Sequence, residues 1–292
     1  MQNSEMVSTR VLIFVPVGDN CEALSWLKNF PKRSDLNFSI LLVYYGSNLN
    51  FHESFSDPRV SIINDTSPSK FEKFKKYIDA GTITLEDYDL IWLPDDDIRI
   101  DEVNILKFFD TVLEHNLEIA QPGCLGFAMG KQIVRRDLRY ALRYSNYVDG
   151  MAPLFTQSAL NKCLLTFQNC ESGRGIDHVW AAMLGNPLNK IAIIDSSLMI
   201  HMKPSGINYS RFSNSIQEQY ERVKTLYGPI VEMHYSWEDL VVHNSIIGLS
   251  RNRKINALNN IQNKLVEIQN IGISKLSRHF IFRFKQKTNK LS

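Results

Sequence analysis

The stretch "LIWLPDDDIRI" (residues 90–100) runs a β-branched and aromatic segment straight into three consecutive carboxylates, Asp95, Asp96 and Asp97. Adjacent negative charges repel, and more strongly as water is excluded, so a triplet at the end of an apolar strand calls for compensation. In an extended chain Asp95 and Asp97 point to one side and Asp96 to the other. A divalent cation held by such oxygens would remove the repulsion and bridge the phosphates of a bound nucleotide, as Mg2+ or Mn2+ does through one or two protein carboxylates. The alternative is a solvated acidic turn that caps the helix after it. On the triplet alone both readings stand.

The elements around the triplet narrow the setting. "VLIFVPV" (Val11–Val17), "FSILLVYY" (Phe38–Tyr45), "RVSII" (Arg59–Ile63) and "DLIWL" (Asp89–Leu93) read as strands, and continuous apolar runs of that length suit strands covered on both faces. Phe71, Phe74, Tyr77 and Ile78 in "SPSKFEKFKKYI" recur at helical spacing, which makes that segment a crossover helix. Residues 101–116 form a second amphipathic helix, "LEIAQP" a short strand and "KIAIIDSSLMIH" (Lys190–His201) a later one. Open α/β sheets bind ligands at the carboxyl ends of their strands, where the triplet sits. Residues 122–146, with Arg135, Arg136, Arg139 and Arg143, read as a long basic loop, and helices are expected at 214–227 and 254–270.

The 292 residues are 44% hydrophobic and 22% charged, with a formal charge of +2, which suits a globular α/β protein and gives no strong overall field for nucleic acid. Four cysteines lack CxxC or metal-finger spacing, so neither a disulfide framework nor a structural zinc is indicated. No apolar run approaches the ~18 residues of a membrane span, and a cytoplasmic location is expected. From Gly272 to Ser292 the chain carries six Lys or Arg and no Asp or Glu, interleaved with Phe280, Phe282 and Phe284. This tail is expected to attach peripherally to an anionic membrane; the alternative is a helix packed on the rest of the protein.

Four blocks, "YDLIWLPDDDI…LEIAQPG", "YVDGMAPLF", "GRGIDHVW" and "KIAIIDSSLMIH", occur in an order that resembles the DUF707 family, a group similar to GT-A-fold glycosyltransferases with a D-x-D motif. The resemblance spans roughly residues 38–202. It implies a Rossmann-like, mainly parallel mixed sheet flanked by helices, with a catalytic domain over residues 1–204 (a nucleotide-sugar half to about residue 100, then an acceptor half) and a mainly helical extension over 205–292. By the same resemblance Asp97 and Asp95 are the metal pair, bound to Mn2+ or Mg2+, with Asp95 and Asp96 also near the nucleotide and Lys70 where similar sequences place a lysine. Similar sequences often read Tyr-Asp-Gly where this one reads Tyr44-Tyr45-Gly46. Base recognition by an aspartate there is thus in doubt, with ring stacking by a tyrosine as the substitute.

Sugar transfer from a nucleotide donor, most plainly a UDP-sugar, sets the remaining assignments. Charge growing on the leaving diphosphate needs a Lewis acid, and the resemblance makes His201 the ligand that completes the metal site; otherwise it is a strand-end histidine. The acceptor hydroxyl, on a glycan or lipid-linked glycan, needs a base. Asp177 in "SGRGIDHVW" is the candidate, or else it caps the helix containing Trp180. If Asp177 is the base, single displacement with inversion follows. Arg135, Arg136 and Arg139 are candidates for the diphosphate or an acidic sugar, against a solvated face. Asp149 is a candidate for sugar hydroxyls, against a turn residue before Gly150. Readings from other classes are a non-catalytic sugar- or nucleotide-binding protein and a metal-dependent phosphohydrolase.

Overall fold

The structure is a computed structural model that describes residues 8–126, 132–168, 170–203, 212 and 214–247. Its first half is the expected parallel unit. Strands β1 (Thr9–Val17), β2 (Leu36–Tyr44), β3 (Val60–Asn64) and β4 (Leu90–Trp92) lie in the order β3-β2-β1-β4, all parallel. Val11 to Val15 of β1 are each at most 2% exposed. That degree of cover explains why the strand shows no polar alternation.

Helix α1 (Leu24–Leu27) follows β1, and α2 (Lys70–Asp79) crosses from β3 to β4. Its start is set by Ser69, whose hydroxyl accepts the Glu72 amide at 3.1 Å. Phe74 of α2 meets Phe14 of β1 edge to face, with ring centroids 5.0 Å apart. Helix α3 (Glu102–Glu114) is capped by Asp101 and packs Phe108 and Phe109 against Trp92 of β4. Between β4 and α3 the chain adds β5 (Ile98–Arg99), a two-residue strand.

The second half is a mixed sheet continuous with the first. It comprises β6 (Ile119–Gly126), β7 (Tyr140–Ser145), β8 (Leu154–Thr156), α4 (Gln157–Cys163), α5 (Trp180–Met183), β9 (Ile191–His201), α6 (Ile216–Glu232) and β10 (Val242–Ile247). From β4 the order runs β8-β6-β9-β7-β10, with β5 attached to β9. β6 and β9 are parallel, whereas β8 and β7 run antiparallel to their neighbours. The ten strands and flanking helices form the expected α/β fold class.

One expectation is corrected. Much of the basic loop at 122–146 is strand: β6 runs on through Pro122 to Gly126, and β7 begins at Tyr140. Proline ended the strand in the sequence reading, but here it sits at a register shift where β6 opposes the bulged Asp195-Ser196-Ser197 of β9, a place where a missing N–H does no harm. After residue 204 the described residues hold the expected helix, α6, and then a strand. β10 follows α6 and pairs antiparallel with β7, returning the chain to the central sheet. The helix expected at 254–270 and the basic tail lie outside the described residues. Among the described residues no helix is long and apolar enough to cross a membrane.

Candidate active site

The carboxylate triplet leaves β4 at its carboxyl end, and backbone pairing fixes where it goes. Asp95 N donates to Met151 O at 2.7 Å. Ile98 of β5 lies opposite His201 of β9, and Met202 N donates to Asp97 O at 2.9 Å. The short β5 strand therefore brings Asp97 beside the histidine at the end of β9. Gly126 faces His201 from β6 with φ +90°, and a Cβ there would collide with the His201 carbonyl. Only glycine allows β6 to approach that closely.

One carboxylate oxygen from each of Asp95 and Asp97 and one imidazole nitrogen of His201 converge here, all within 4.8 Å of one another. Atoms bound to one cation at about 2.1 Å are roughly 3–4 Å apart, so small side-chain adjustments would close the set. His201 Nε2 is 3.2 Å from Asp97 Oδ1, yet that oxygen is buried with no hydrogen-bond partner among the described residues. A buried carboxylate oxygen left in this state is costly. An oxygen-rich set with one imidazole fits a hard divalent ion such as Mg2+ or Mn2+.

Lys70, the first residue of α2, carries the positive charge nearest the triplet. Its ammonium is paired with Asp95 Oδ1 and also donates to Leu93 O at 2.9 Å and Gly150 O at 2.7 Å. Burial pushes the Asp95 carboxyl upward, Lys70 opposes that, and Asp97 adds to it. Asp96 points away from the pair and accepts from the Tyr45 hydroxyl. Tyr44 donates to Asp19, whose carboxylate also accepts the Ser47 and Asn48 amides at 3.0 and 3.1 Å. Those bonds hold Asp19 at about 2, the Tyr44 hydrogen bond being the largest cause. Asp19 was missed in the sequence; it ties the end of β1 to the turn after β2. The Tyr44 ring stacks on Phe51 at 4.0 Å, and the Tyr45 ring lies against Gly18.

Asp149 and Asp177 enter from the other half. The Asp149 carboxyl is pushed well above the carboxylate range by burial and then by the charge of Asp177, with His201 and Asp95 also within electrostatic reach. The hydroxyl of Tyr147 sits between the two carboxyls, 2.6 Å from Asp177 Oδ2 and 3.4 Å from Asp149 Oδ2. Asp177 does not cap a helix: the residue before α5 is Val179, and no side chain caps that helix. Its turn needs Gly173 and Gly175, with φ of +69° and +92°. A Cβ on Gly173 would lie 2.7 Å from the Phe71 ring, and one on Gly175 3.0 Å from Tyr220.

The C-terminal segment braces this turn. Gln219 of α6 is 1% exposed, and its side-chain oxygen accepts the Ser172 amide at 2.8 Å. Tyr235 donates to His178 O at 2.9 Å, and the His178 ring stacks on Trp237 at 5.3 Å. None of these contacts was legible in the sequence, because they join residues some 50 positions apart without a motif.

The arginines go elsewhere. Arg143 makes a buried two-pronged pair with Asp195, at 2.7 and 2.9 Å. Arg136 Nε donates to Asp195 O at 2.9 Å, and Arg139 Nε to Asp137 Oδ1 at 2.9 Å. Arg135 lies against β6, its backbone bridged to Cys124. The Arg136 and Arg143 bonds fasten this segment to β9, the Arg135 bridge ties it to β6, and the Arg139 pair is internal to it.

The architecture is a GT-A-like fold. The crystal structure of S. aureus TarS 1–349 in complex with UDP-GlcNAc superposes with a TM-score of 0.51 at 13% identity, over 76% of this chain and 66% of that one. The crystal structure of GalNAc-T7 with UDP, GalNAc and Mn2+ gives 0.56 at 9% identity, over 78% and 50%. This chain thus spans between half and just under two thirds of their lengths. The family model of DUF707, described as "protein of unknown function", matches residues 1–142. No curated protein matches the sequence.

Proposed function

We propose that this protein is a metal-dependent glycosyltransferase that moves a sugar from a nucleotide donor, taken as a UDP-sugar, to a glycan or lipid-linked glycan acceptor. The observation that carries the proposal is the convergence of Asp95, Asp97 and His201 around a buried Asp97 oxygen that has no hydrogen-bond partner among the described residues, with Asp149 within electrostatic reach of Asp95 and His201 and Asp177 within reach of Asp149. The fold neighbours were solved with UDP-GlcNAc and with UDP, GalNAc and Mn2+, which supports the donor class.

Asp95, Asp97 and His201 would hold the divalent ion, which when bound supplies Lewis-acid stabilisation to the leaving diphosphate. Lys70 holds Asp95 in place and screens its charge. Asp149 is placed to accept from sugar hydroxyls. Asp177 takes the acceptor proton, so that the acceptor oxygen attacks from the face opposite the diphosphate and the anomeric centre inverts. A role in surface polysaccharide synthesis, on the cytoplasmic face with the basic tail against the membrane, is part of the proposal.

The test is a thermal-shift panel of nucleotide diphosphates and UDP-sugars with and without Mn2+, followed by an assay for UDP release from whichever sugar nucleotide binds. A ligand that binds only the folded state raises stability by RT ln(1 + [L]/Kd). UDP should raise the melting temperature only with Mn2+, and Asp97→Ala should abolish that gain while raising the metal-free melting temperature, because an unpartnered buried oxygen is removed. Equal stabilisation by UDP in EDTA and in Mn2+ would overturn the metal assignment.

A further inference from the structure

We infer that Tyr147 is a positioning residue for the proposed base: its phenolic proton holds one oxygen of Asp177 and turns the other toward the acceptor. The inference rests on the proposed function for what Asp177 does, but not for the hydrogen bond itself.

Packing needs only the ring at this position. Tyr147 is 2% exposed, its amide donates to Ser145 Oγ at 2.9 Å, and its ring meets the imidazole of His178 edge to face at 5.5 Å. Phenylalanine would fill the same space without a buried hydroxyl that must find a partner. The hydroxyl has one proton and two carboxylates in front of it. At 2.6 Å against 3.4 Å the bond goes to Asp177.

Both hydrogen bonds to Asp177 converge on a single atom. Oδ2 takes the Tyr147 proton and faces Gly150 N at 3.5 Å. Among the described residues Oδ1 has no hydrogen-bond donor, so it is the oxygen that accepts the proton. In the step, the acceptor O–H breaks and an Oδ1–H bond forms. The acceptor oxygen bonds the anomeric carbon, and the carbon–diphosphate bond breaks with its electron pair leaving on the diphosphate. His178 couples the ring to the catalytic turn, because it follows Asp177 in the chain and is itself stacked on Trp237. The phenol is thus held from both sides before any substrate arrives, which is what a well-aimed base requires.

The groups facing Asp177 are Tyr147 and Asp149 from the 147–150 turn and Cys170 from its own loop. A donated hydrogen bond favours the ionised carboxylate, so its loss raises the midpoint at which Asp177 takes up a proton.

The experiment compares the full chain with Tyr147→Phe, each labelled with 13C at the aspartate carboxyls; the Asp177→Asn spectrum assigns the Asp177 signal. The Asp177 midpoint should rise by about one pH unit, equivalent to a tenfold change in proton affinity. UDP affinity in Mn2+ should stay within twofold. Below the new midpoint, UDP release should fall about tenfold in kcat with KM for the donor unchanged. An unmoved midpoint would overturn the inference even if the protein proves an active transferase. The midpoint is read without metal or donor, so a protein that binds no UDP but shows the shift would keep the Tyr147 assignment and sink the proposed function instead. Should Tyr147→Phe fail to fold, the reciprocal reading decides: the Tyr147 phenolic carbon signal must move in Asp177→Asn, and an unmoved signal overturns the inference.

Discussion

The two halves of the site are positioned by different means. The proposed donor side, Asp95 to Asp97 with His201, is placed by backbone: a parallel strand end, a two-residue strand and a glycine that permits close approach. The proposed acceptor side, Asp149 and Asp177, sits in turns held by side chains, with Tyr147, Gln219, Tyr235 and Trp237 doing the holding. Backbone placement follows from the fold class. Side-chain placement is particular to this sequence, so the acceptor half is where neighbours of the same fold are free to diverge.

This contrast can be broken most directly at the base. Asp177→Asn should reduce transfer by about 10²–10⁴-fold while UDP binding in Mn2+ stays within a few fold, because a general base acts on the acceptor and not on the diphosphate. Steady-state kinetics on the true acceptor, paired with UDP titration, reads both. Retention of most of kcat would reduce Asp177 to a structural turn residue.

Lys70 is the residue that should not respect the division. Lys70→Met removes a buried ammonium from one carboxylate and two carbonyls and should cost about 3 kcal/mol in urea denaturation. Because Asp95 is 36% exposed in its side chain, solvent softens the loss on that side. Adding Asp95→Asn should recover part of it, since the stranded charge disappears, and a double-mutant cycle measures the coupling. Strict additivity would mean that the pair contributes nothing beyond its separate contacts.

The smallest effect sharpens the comparison from the acceptor side. Gly175→Ala forces a side chain into a left-handed backbone and toward Tyr220, which should destabilise by about 1–2 kcal/mol. UDP affinity should be unchanged, as read by the same titration. A parallel loss of UDP binding would show that the two halves are not separately positioned.

The legibility of the sequence follows the same division. β1, β2 and β4 announced themselves because strands covered on both faces must be largely apolar, β3 as a short β-branched run although it lies at the sheet edge with no residue fully buried, and α2 and α3 because their buried faces recur at helical spacing. Asp95, Asp97 and His201 were legible as strand-end residues, with family likeness supplying the third. β6 was truncated in the reading because Pro122 normally ends a strand, and only the bulge in β9 makes it tolerable. β10 was not legible at all: its outer positions, such as Val242 and Ile246, are 42% and 37% exposed, so no burial pattern marked it. The arginines of 135–143 were conspicuous as charge; Asp137, two residues from Arg139, was in plain view as its partner, but Asp195, which takes Arg143 and whose carbonyl takes Arg136, lies more than 50 positions away with no motif to link it.

The first turn of α2 has one further consequence. Lys70 binds Asp95 and the Gly150 carbonyl, and the next residue, Phe71, lies beneath Gly173 and Gly150, so two neighbouring side chains on one rigid helix touch both sides of the site. Any preference of that helix for one position over another is shared by the proposed donor and acceptor sites. Thermodynamic reciprocity then requires that whatever factor a bound donor lends to acceptor affinity, the acceptor returns in full to the donor.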